Sequence, residues 1–138
     1  MKAKNFLIFL LFLPITLFSQ PTIQWQKCIG DTWQDAITCS DKAHNGGYIL
    51  GGIKYSCNGV STQAWMVRID NQGQVLWERC YGGSGTENIH AIRRTTDGGY
   101  IFTGPATSND GDVIGHHGPT NADFWVVKTD SGGAIQWQ

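Results

Sequence analysis

The stretch that decides the fold is WERCYGGSGTENIHAIRRTTDGGY, residues 77–100, because its landmarks have already occurred once in the chain. Counting back 52 positions places Trp25 under Trp77. The same offset aligns Gly-Gly-Tyr-Ile at 46–49 with Gly-Gly-Tyr-Ile at 98–101. A repeat near 50 residues, marked by aromatic residues and glycines, indicates a modular β architecture of the kind seen in propeller blades.

Each repeat contains four short runs with the pattern of β-strands. The first run lies at 35–39 and again at 87–92, and a polar loop ending in Asn-Gly-Gly or Asp-Gly-Gly connects it to the second run. Glycine adopts the positive φ that such hairpin turns require. The third run, at 64–69 and again at 124–129, alternates as a strand with one buried face does. We therefore predict an all-β fold of four-stranded antiparallel meanders resembling propeller blades.

Two complete repeat units, residues 25–76 and 77–136, form one β-repeat domain at 21–138. Two units cannot close a ring, because propellers typically need about four or more blades. An open array leaves sheet edges and faces uncovered. We expect an incomplete array, belonging either to a fragment of a longer protein or to an assembly completed between chains, and we favour the fragment.

Residues 1–20 have the pattern of a secretory signal peptide. Two lysines precede an apolar run at 6–18, and the small residue Ser19 follows it. This run is interrupted by Pro14 and is shorter than the roughly 20 residues that span a bilayer. We expect cleavage at Ser19 or Gln20, which leaves a secreted or cell-surface protein without a membrane span.

The charge of the chain argues against nucleic acid as a partner. Loss of the leader removes two lysines and leaves eight basic against eleven acidic residues, a formal charge of −3. The basic residues form no cluster larger than the pair Arg93-Arg94, whereas nucleic-acid binding needs a basic patch or stripe.

The four cysteines allow three disulfide connectivities in an exported chain, where disulfides persist. Cys28 and Cys80 are repeat equivalents, so we expect them on neighbouring units, farther apart than the roughly 7 Å over which Cα atoms can be bridged. Cys57 and Cys80 fall at the same end of a predicted hairpin and are the pair we favour. The alternative is that the thiols are free.

The second repeat carries eight extra residues within 108–119, and such insertions gather on the side of an array that often binds. This loop supplies Asn109, Asp110 and Asp112, and Asp123 follows it. Oxygen ligands alternating around a glycine suit Ca²⁺, although the further acids of a complete calcium motif are absent. Calcium is therefore the one cofactor indicated, and the alternative is that these side chains close turns.

Two further candidates for ligand binding are the histidines of this loop, His116 and His117. An imidazole can bind a metal or act as a base. Adjacent side chains on an extended segment point in opposite directions, so we do not expect both on one ion. Because no zinc-type spacing accompanies them, we favour a structural role.

Trp33 is the residue most suggestive of binding, because it does not recur. The other five tryptophans have repeat counterparts and are interpreted as packing residues, whereas the counterpart of Trp33 is Gly85, in a loop. A loop aromatic can stack on a sugar or anchor a protein partner. It can also cover the edge of a core, which is the interpretation we favour slightly.

No motif of nucleophilic catalysis is present. The stretch Gly83-Ser84-Gly85 lacks the Gly-x-Ser-x-Gly elbow and its partners in order. It also lacks the lysine and the following helix of a phosphate-binding loop. We interpret these glycines as turn residues.

The second repeat resembles the repeat of many large secreted and cell-surface proteins of the Bacteroidota. The resemblance rests on the following residues: Trp77, Cys80, Gly82-Gly83-Ser84-Gly85, Glu87, Ile92, Asp97-Gly98-Gly99-Tyr100, Ser108-Asn109-Asp110-Gly111-Asp112, Gly115, His117-Gly118 and Asp123-Phe124-Trp125-Val126-Val127-Lys128. It implies a propeller-like array, commonly followed by a type IX secretion sorting domain, which this sequence does not show. It implies a fold and a location rather than a reaction.

The sequence thus favours an exported, noncatalytic scaffold for binding or surface display, with a glycan or a protein at the cell surface as partner. The alternative is a hydrolase of extracellular polymers, with its site in the long loop of the second repeat or in further blades.

Overall fold

The computed structural model describes residues 20–55, 57, 59, 61–118 and 121–138. Apart from Gln20, the predicted leader lies outside this range. Within it, no helix has the length and apolar character needed to cross a membrane.

The chain forms two four-stranded antiparallel sheets, each a meander in sequence order, and no helix occurs among the described residues. Sheet 1 contains β1 (Asp35–Lys42), β2 (Tyr48–Tyr55), β3 (Thr62–Ile69) and β4 (Val75–Tyr81), and sheet 2 contains β5 (Ala91–Arg94), β6 (Tyr100–Ala106), β7 (Asp123–Thr129) and β8 (Ile135–Trp137). The predicted all-β fold of two four-stranded meander repeats is confirmed.

One strand begins later than its repeat counterpart. The sequence predicted a first strand at 87–92, but β5 begins only at Ala91, and Glu87 makes a single isolated bridge to Ala106. The backbone between these residues divides its bonds between two sheets: the N–H groups of Asn88 and His90 donate to β6, whereas the N–H of Ile89 donates to the carbonyl of Gly52 in β2. Continuous pairing with β6 therefore starts only at Ala91.

The hairpins that join β1 to β2 and β5 to β6 each contain a glycine that is required by a close backbone contact. Gly47 has a φ of +70°, and a Cβ at this position would collide with the carbonyl oxygen of Ile69. A Cβ on its counterpart, Gly99, would collide with the carbonyl oxygen of Thr129. Each hairpin can therefore pack on the end of the third strand only with glycine at this position.

A buried cation on the third strand of each sheet holds the hairpin in place. In sheet 1, Arg68 donates from Nη2 to the carbonyls of His44 (2.9 Å) and Gly46 (2.6 Å). In sheet 2, its counterpart Lys128 pairs with Asp97 at 2.8 Å. The two repeats therefore anchor the same turn by different means, through carbonyl oxygens in one and a carboxylate in the other.

The two sheets stack face to face. We call the face of sheet 1 that packs on sheet 2 its rear face, and the face of sheet 2 that receives it the front face of sheet 2. The repeat-equivalent faces on the outside are the front face of sheet 1 and the rear face of sheet 2. The interface buries Ala64 and Met66 of the first sheet, with Tyr81 stacked against Phe102 at 5.1 Å between ring centroids.

The front face of sheet 1 carries a second, smaller core. Trp65 and Val67 are fully buried there, with Ile29 from the N-terminal segment (residues 20–34) packed against them. The indole of Trp65 donates to Glu78 at 2.9 Å, and the ammonium of Lys54 lies 4.9 Å from its ring centroid. The N-terminal segment thus covers part of this face as β4 covers part of sheet 2.

Candidate functional site

The long loop of the second repeat is fastened by a buried carboxylate. Glu87 is fully buried, and its oxygens accept hydrogen bonds from the backbone N–H groups of Gly83 (3.1 Å) and Ser108 (3.0 Å). The hydroxyl of Ser108 donates a further bond of 2.6 Å, and the N–H of Thr107 one of 3.3 Å. Glu87 therefore joins the turn after β4 to the start of the loop.

The acids of the loop bind the same turn from the other side. Asp110 accepts from the N–H of Ser84 at 2.8 Å and from its hydroxyl at 3.1 Å. Asp112 accepts from the N–H of Gly82 at 3.2 Å. These carboxylates are engaged in holding backbone, which is the second of the two interpretations that the sequence left open.

The two histidines of the loop have separate partners. His117 lies against Asp123, whose carboxylate accepts from its backbone N–H at 2.6 Å and lies 3.0 Å from Nδ1. These bonds hold the pKa of Asp123 below its ordinary value. The ring of His116 lies 2.6 Å from the carbonyl of Asn121. The two rings therefore have different hydrogen-bond partners, although both line one pocket of about 270 Å³ together with Asp123.

The structure does not gather the predicted calcium residues around a common centre. Asp110 and Asp112 bind the turn at 82–84, Asp123 binds His117, and Asn109 is exposed. Over the described part of the chain, no group of three or more His, Cys, Asp or Glu side chains is placed to hold a metal ion.

The first repeat has a related carboxylate with fewer partners. Asp35 is the counterpart of Glu87, and its Oδ2 accepts from the N–H of Asp31 at 2.9 Å, as Glu87 accepts from Gly83. Its Oδ1 is buried, and no hydrogen-bond partner for it occurs among residues 20–55, 57, 59, 61–118 and 121–138. Within this part of the chain, Asp35 therefore satisfies one oxygen fewer than Glu87 does.

A pocket of about 250 Å³ opens beside Asp35. Its lining consists of the following residues: Cys28, Ile29, Gly30, Asp31, Trp33 and Asp35. Asp31 also accepts from the N–H of Trp33 at 2.8 Å, and its other oxygen lies 3.8 Å from the ammonium of Lys54. The pocket thus combines an aromatic wall with two carboxylates.

Trp33, the aromatic residue that lines the pocket, packs against a second ring. Trp33 and Tyr55 lie 5.5 Å apart between ring centroids, and they are 60% and 46% exposed. Their counterparts are Gly85 and Thr107, which approach so closely that a Cβ on Gly85 would lie 2.5 Å from the Thr107 hydroxyl. The first repeat therefore presents two large rings where the second has a tight backbone contact.

The cysteines divide into one pair and two free thiols. Cys57 and Cys80, the pair that the sequence favoured, form a disulfide with Cα atoms 6.2 Å apart. Cys28 is free and exposed at the pocket. Cys39 is free and half-buried, and its burial raises the pKa of its thiol.

Sequence reasoning selected Trp33 but missed Asp35 and Tyr55. The signal for Asp35 was available, because the 52-residue offset places it under Glu87. Tyr55 gave no such signal, since an aromatic residue at the end of a strand is ordinary. Comparison with protein-family models and with curated proteins finds no match for this chain.

Proposed function

We propose that the protein is an exported, noncatalytic binding module that holds a carbohydrate in the pocket lined by Trp33, Asp31 and Asp35, with Tyr55 beside Trp33. The observation that carries this proposal is an exposed aromatic pair, one ring of which lines a pocket together with two carboxylate residues.

The chemistry of the pocket matches that of a sugar ring. A saccharide presents C–H groups on its faces and hydroxyl donors at its edges, and a Trp or Tyr ring offers a large apolar surface for the former. Asp31 and Asp35 line the pocket with carboxylate acceptors, so the site favours a ligand with hydroxyl donors. Binding pockets commonly combine an apolar lining with a few polar groups in this way.

Two further observations support export and a noncatalytic role. The disulfide between Cys57 and Cys80 suits an oxidising compartment, in agreement with the leader-like residues 1–20. The carboxylates of the long loop are used to hold backbone, which leaves the pocket of the first repeat as the favoured place for a ligand.

The binding test uses a glycan array followed by calorimetry with the sugars retained. Trp33→Ala should weaken binding at least tenfold, or about 1.4 kcal/mol, because it removes the larger ring. Asp35→Asn should weaken it through loss of the charged acceptor. Trp137→Ala is the matched control, since Trp137 is a tryptophan of similar exposure, 51%, outside the pocket.

Three results would overturn the proposal. Equal binding by the Trp33 and Trp137 variants would place the site elsewhere, and binding to proteins but to no glycan would exclude the sugar. Release of new reducing ends from the retained polymer would favour the hydrolase, because Asp31 and Asp35 supply the two carboxylates that glycoside hydrolysis uses. Export is tested separately: mass spectrometry of the protein from the medium or cell surface should show a chain that starts near residue 20.

A further inference from the structure

The rear face of sheet 2 exposes apolar side chains whose counterparts in sheet 1 are buried. Phe124 is 76% exposed, whereas its counterpart Ala64 is fully buried. Ile101 and Val126 are partly exposed, and their counterparts Ile49 and Met66 are fully buried. Together with Ala91 and Thr103, these side chains line a groove of about 180 Å³.

The front face of sheet 1 shows the complementary pattern. Strand pairing places Ile37 opposite Gly52 and Tyr48 opposite Ile69, on the face that carries Trp65. Ile37 is 42% exposed and Tyr48 is 39% exposed. Their counterparts on the front face of sheet 2, Ile89 and Tyr100, are 0% and 2% exposed, because sheet 1 covers them.

The two surfaces that form the interface between the sheets therefore each occur a second time in the chain, on faces that are not covered by a sheet. Inside the chain, the rear face of sheet 1 covers the front face of sheet 2. The rear face of sheet 2 and the front face of sheet 1 are the repeat equivalents of these same two surfaces. We propose that they bind each other between molecules, so that copies of this chain associate head to tail.

The N-terminal segment already covers part of the face that a second copy would bind. Ile29 packs on the core of Trp65 and Val67. Its counterpart, Tyr81, packs on Phe102 within the existing interface. The segment thus occupies the position that β4 occupies between sheets 1 and 2. Because β8 of a second copy, the counterpart of β4, would need this same position, two copies can pair only through the remaining part of the face, which includes Ile37.

The contact between molecules must be looser than the contact within the chain. Within the chain, Gly51 lets Ile89 approach so closely that a Cβ on Gly51 would lie 2.6 Å from the Ile89 side chain. Thr103 takes the place of Gly51 on the rear face of sheet 2, so the partner sheet must sit farther away. Overpacking of this kind weakens a contact, which predicts reversible rather than permanent association.

One pair of charges opposes the association and provides a sharp test. Within the chain, Asp41 accepts from the N–H of Arg94 at 3.0 Å. The counterparts of these residues are Arg93 and Lys42, so the same contact between copies would bring the cation of Arg93 to the backbone of Lys42, which is itself a cationic residue. Lys42→Glu replaces this repulsion with an attraction and should strengthen the association at least tenfold, most clearly at low salt.

The experiment measures association by sedimentation velocity from micromolar to millimolar protein. Wild type should associate reversibly, whereas Phe124→Glu and Ile37→Glu should each associate at least tenfold more weakly. A mixture of these two variants should form a 1:1 pair and nothing larger, because each retains the half that the other has lost. Circular dichroism checks that each variant is folded, which is expected because both side chains are exposed in the single molecule.

Leu76→Glu is the matched control. Leu76 is 57% exposed, although the rear face of sheet 1 is covered by sheet 2. Its counterpart Gln136 is exposed as well, although the front face of sheet 2 is covered by sheet 1. This position therefore takes part in neither side of the interface. Its association should equal that of wild type. A wild type that stays monomeric at every concentration would overturn the proposal. It would also be overturned if Ile37→Glu associated normally while Phe124→Glu stayed monomeric, because this result would indicate that the rear faces of two copies pair symmetrically. Loss of association in all three variants would mean nonspecific contact.

Discussion

Glu87→Gln should destabilise the protein although it changes one buried atom. In the wild type, Oε1 accepts from the N–H groups of Thr107 and Ser108 and from the Ser108 hydroxyl, and Oε2 accepts from the N–H of Gly83. In the variant, the best amide orientation keeps the oxygen toward Ser108 and turns the NH₂ group toward the Gly83 N–H. Two donors then face each other.

The magnitude follows from these four bonds. A hydrogen bond to a charged group contributes about 1.5–3 kcal/mol, and the bond to Gly83 is lost. The remaining three lose their charge assistance, which roughly halves the strength of such bonds. These terms add to more than about 4 kcal/mol, but the neutral amide also avoids part of the cost of burying a charge. We therefore expect the free energy of unfolding to fall by about 2–4 kcal/mol, a large part of the 5–15 kcal/mol that is typical of a domain.

The matched control is Asp35→Asn at the equivalent position of the first repeat. Asp35 accepts one backbone bond, from Asp31, and the amide oxygen can keep it. The change in free energy of unfolding should therefore stay below about 1 kcal/mol. Urea denaturation followed by tryptophan fluorescence measures both variants, with an unchanged m-value as the sign that only stability has changed. Equal effects of the two substitutions would refute the reasoning.

Three further predictions concern the pairing, packing and crosslinking of the sheets. Asp97→Asn should lower the thermal midpoint at neutral pH. The bond to Lys128 lowers the pKa of Asp97 in the folded protein, so the carboxylate contributes its full stabilisation above the ordinary carboxyl pKa and loses it as pH falls toward the folded-state pKa. The thermal midpoints of wild type and variant should therefore begin to converge below about pH 4. Trp65→Ala should cost about 3–5 kcal/mol in urea denaturation, because this side chain is fully buried; a loss below about 1 kcal/mol would contradict its place in the core. Replacing Cys57 and Cys80 by alanine opens a crosslink with a sequence separation of 23, and should cost about 3 kcal/mol by loop entropy; unchanged unfolding under nonreducing conditions would mean that the bond does not form.

The outcome for the tryptophans shows where sequence reasoning stops. The repeat pattern interpreted five of them as packing residues, and Trp65 and Trp125 are indeed buried. Trp25 and Trp137 recur in the same way, yet they are 41% and 51% exposed. A repeat shows that a position is equivalent in each unit, but the burial of that position also depends on whether another unit lies over it.

The candidate site was predictable only in part, for a related reason. Trp33 stood out because its counterpart is a glycine, but its partner Tyr55 lies at the end of another strand. The acids of the long loop looked like calcium ligands because their spacing along the chain was visible, whereas the backbone donors that they bind, in the turn at 82–84, come from a distant part of the sequence.

The sequence by itself determined the repeat, the four-stranded meander and the glycine turns. These depend on local requirements: a period of two along a strand and positive φ or close approach at a turn. Only the tertiary structure decided that Glu87 is bound by four donors, whereas one oxygen of Asp35 has no partner within the described part of the chain, and that two faces remain partly uncovered. Hydrogen-bond satisfaction and burial depend on what lies across space, and the spacing of residues along one chain does not contain that information.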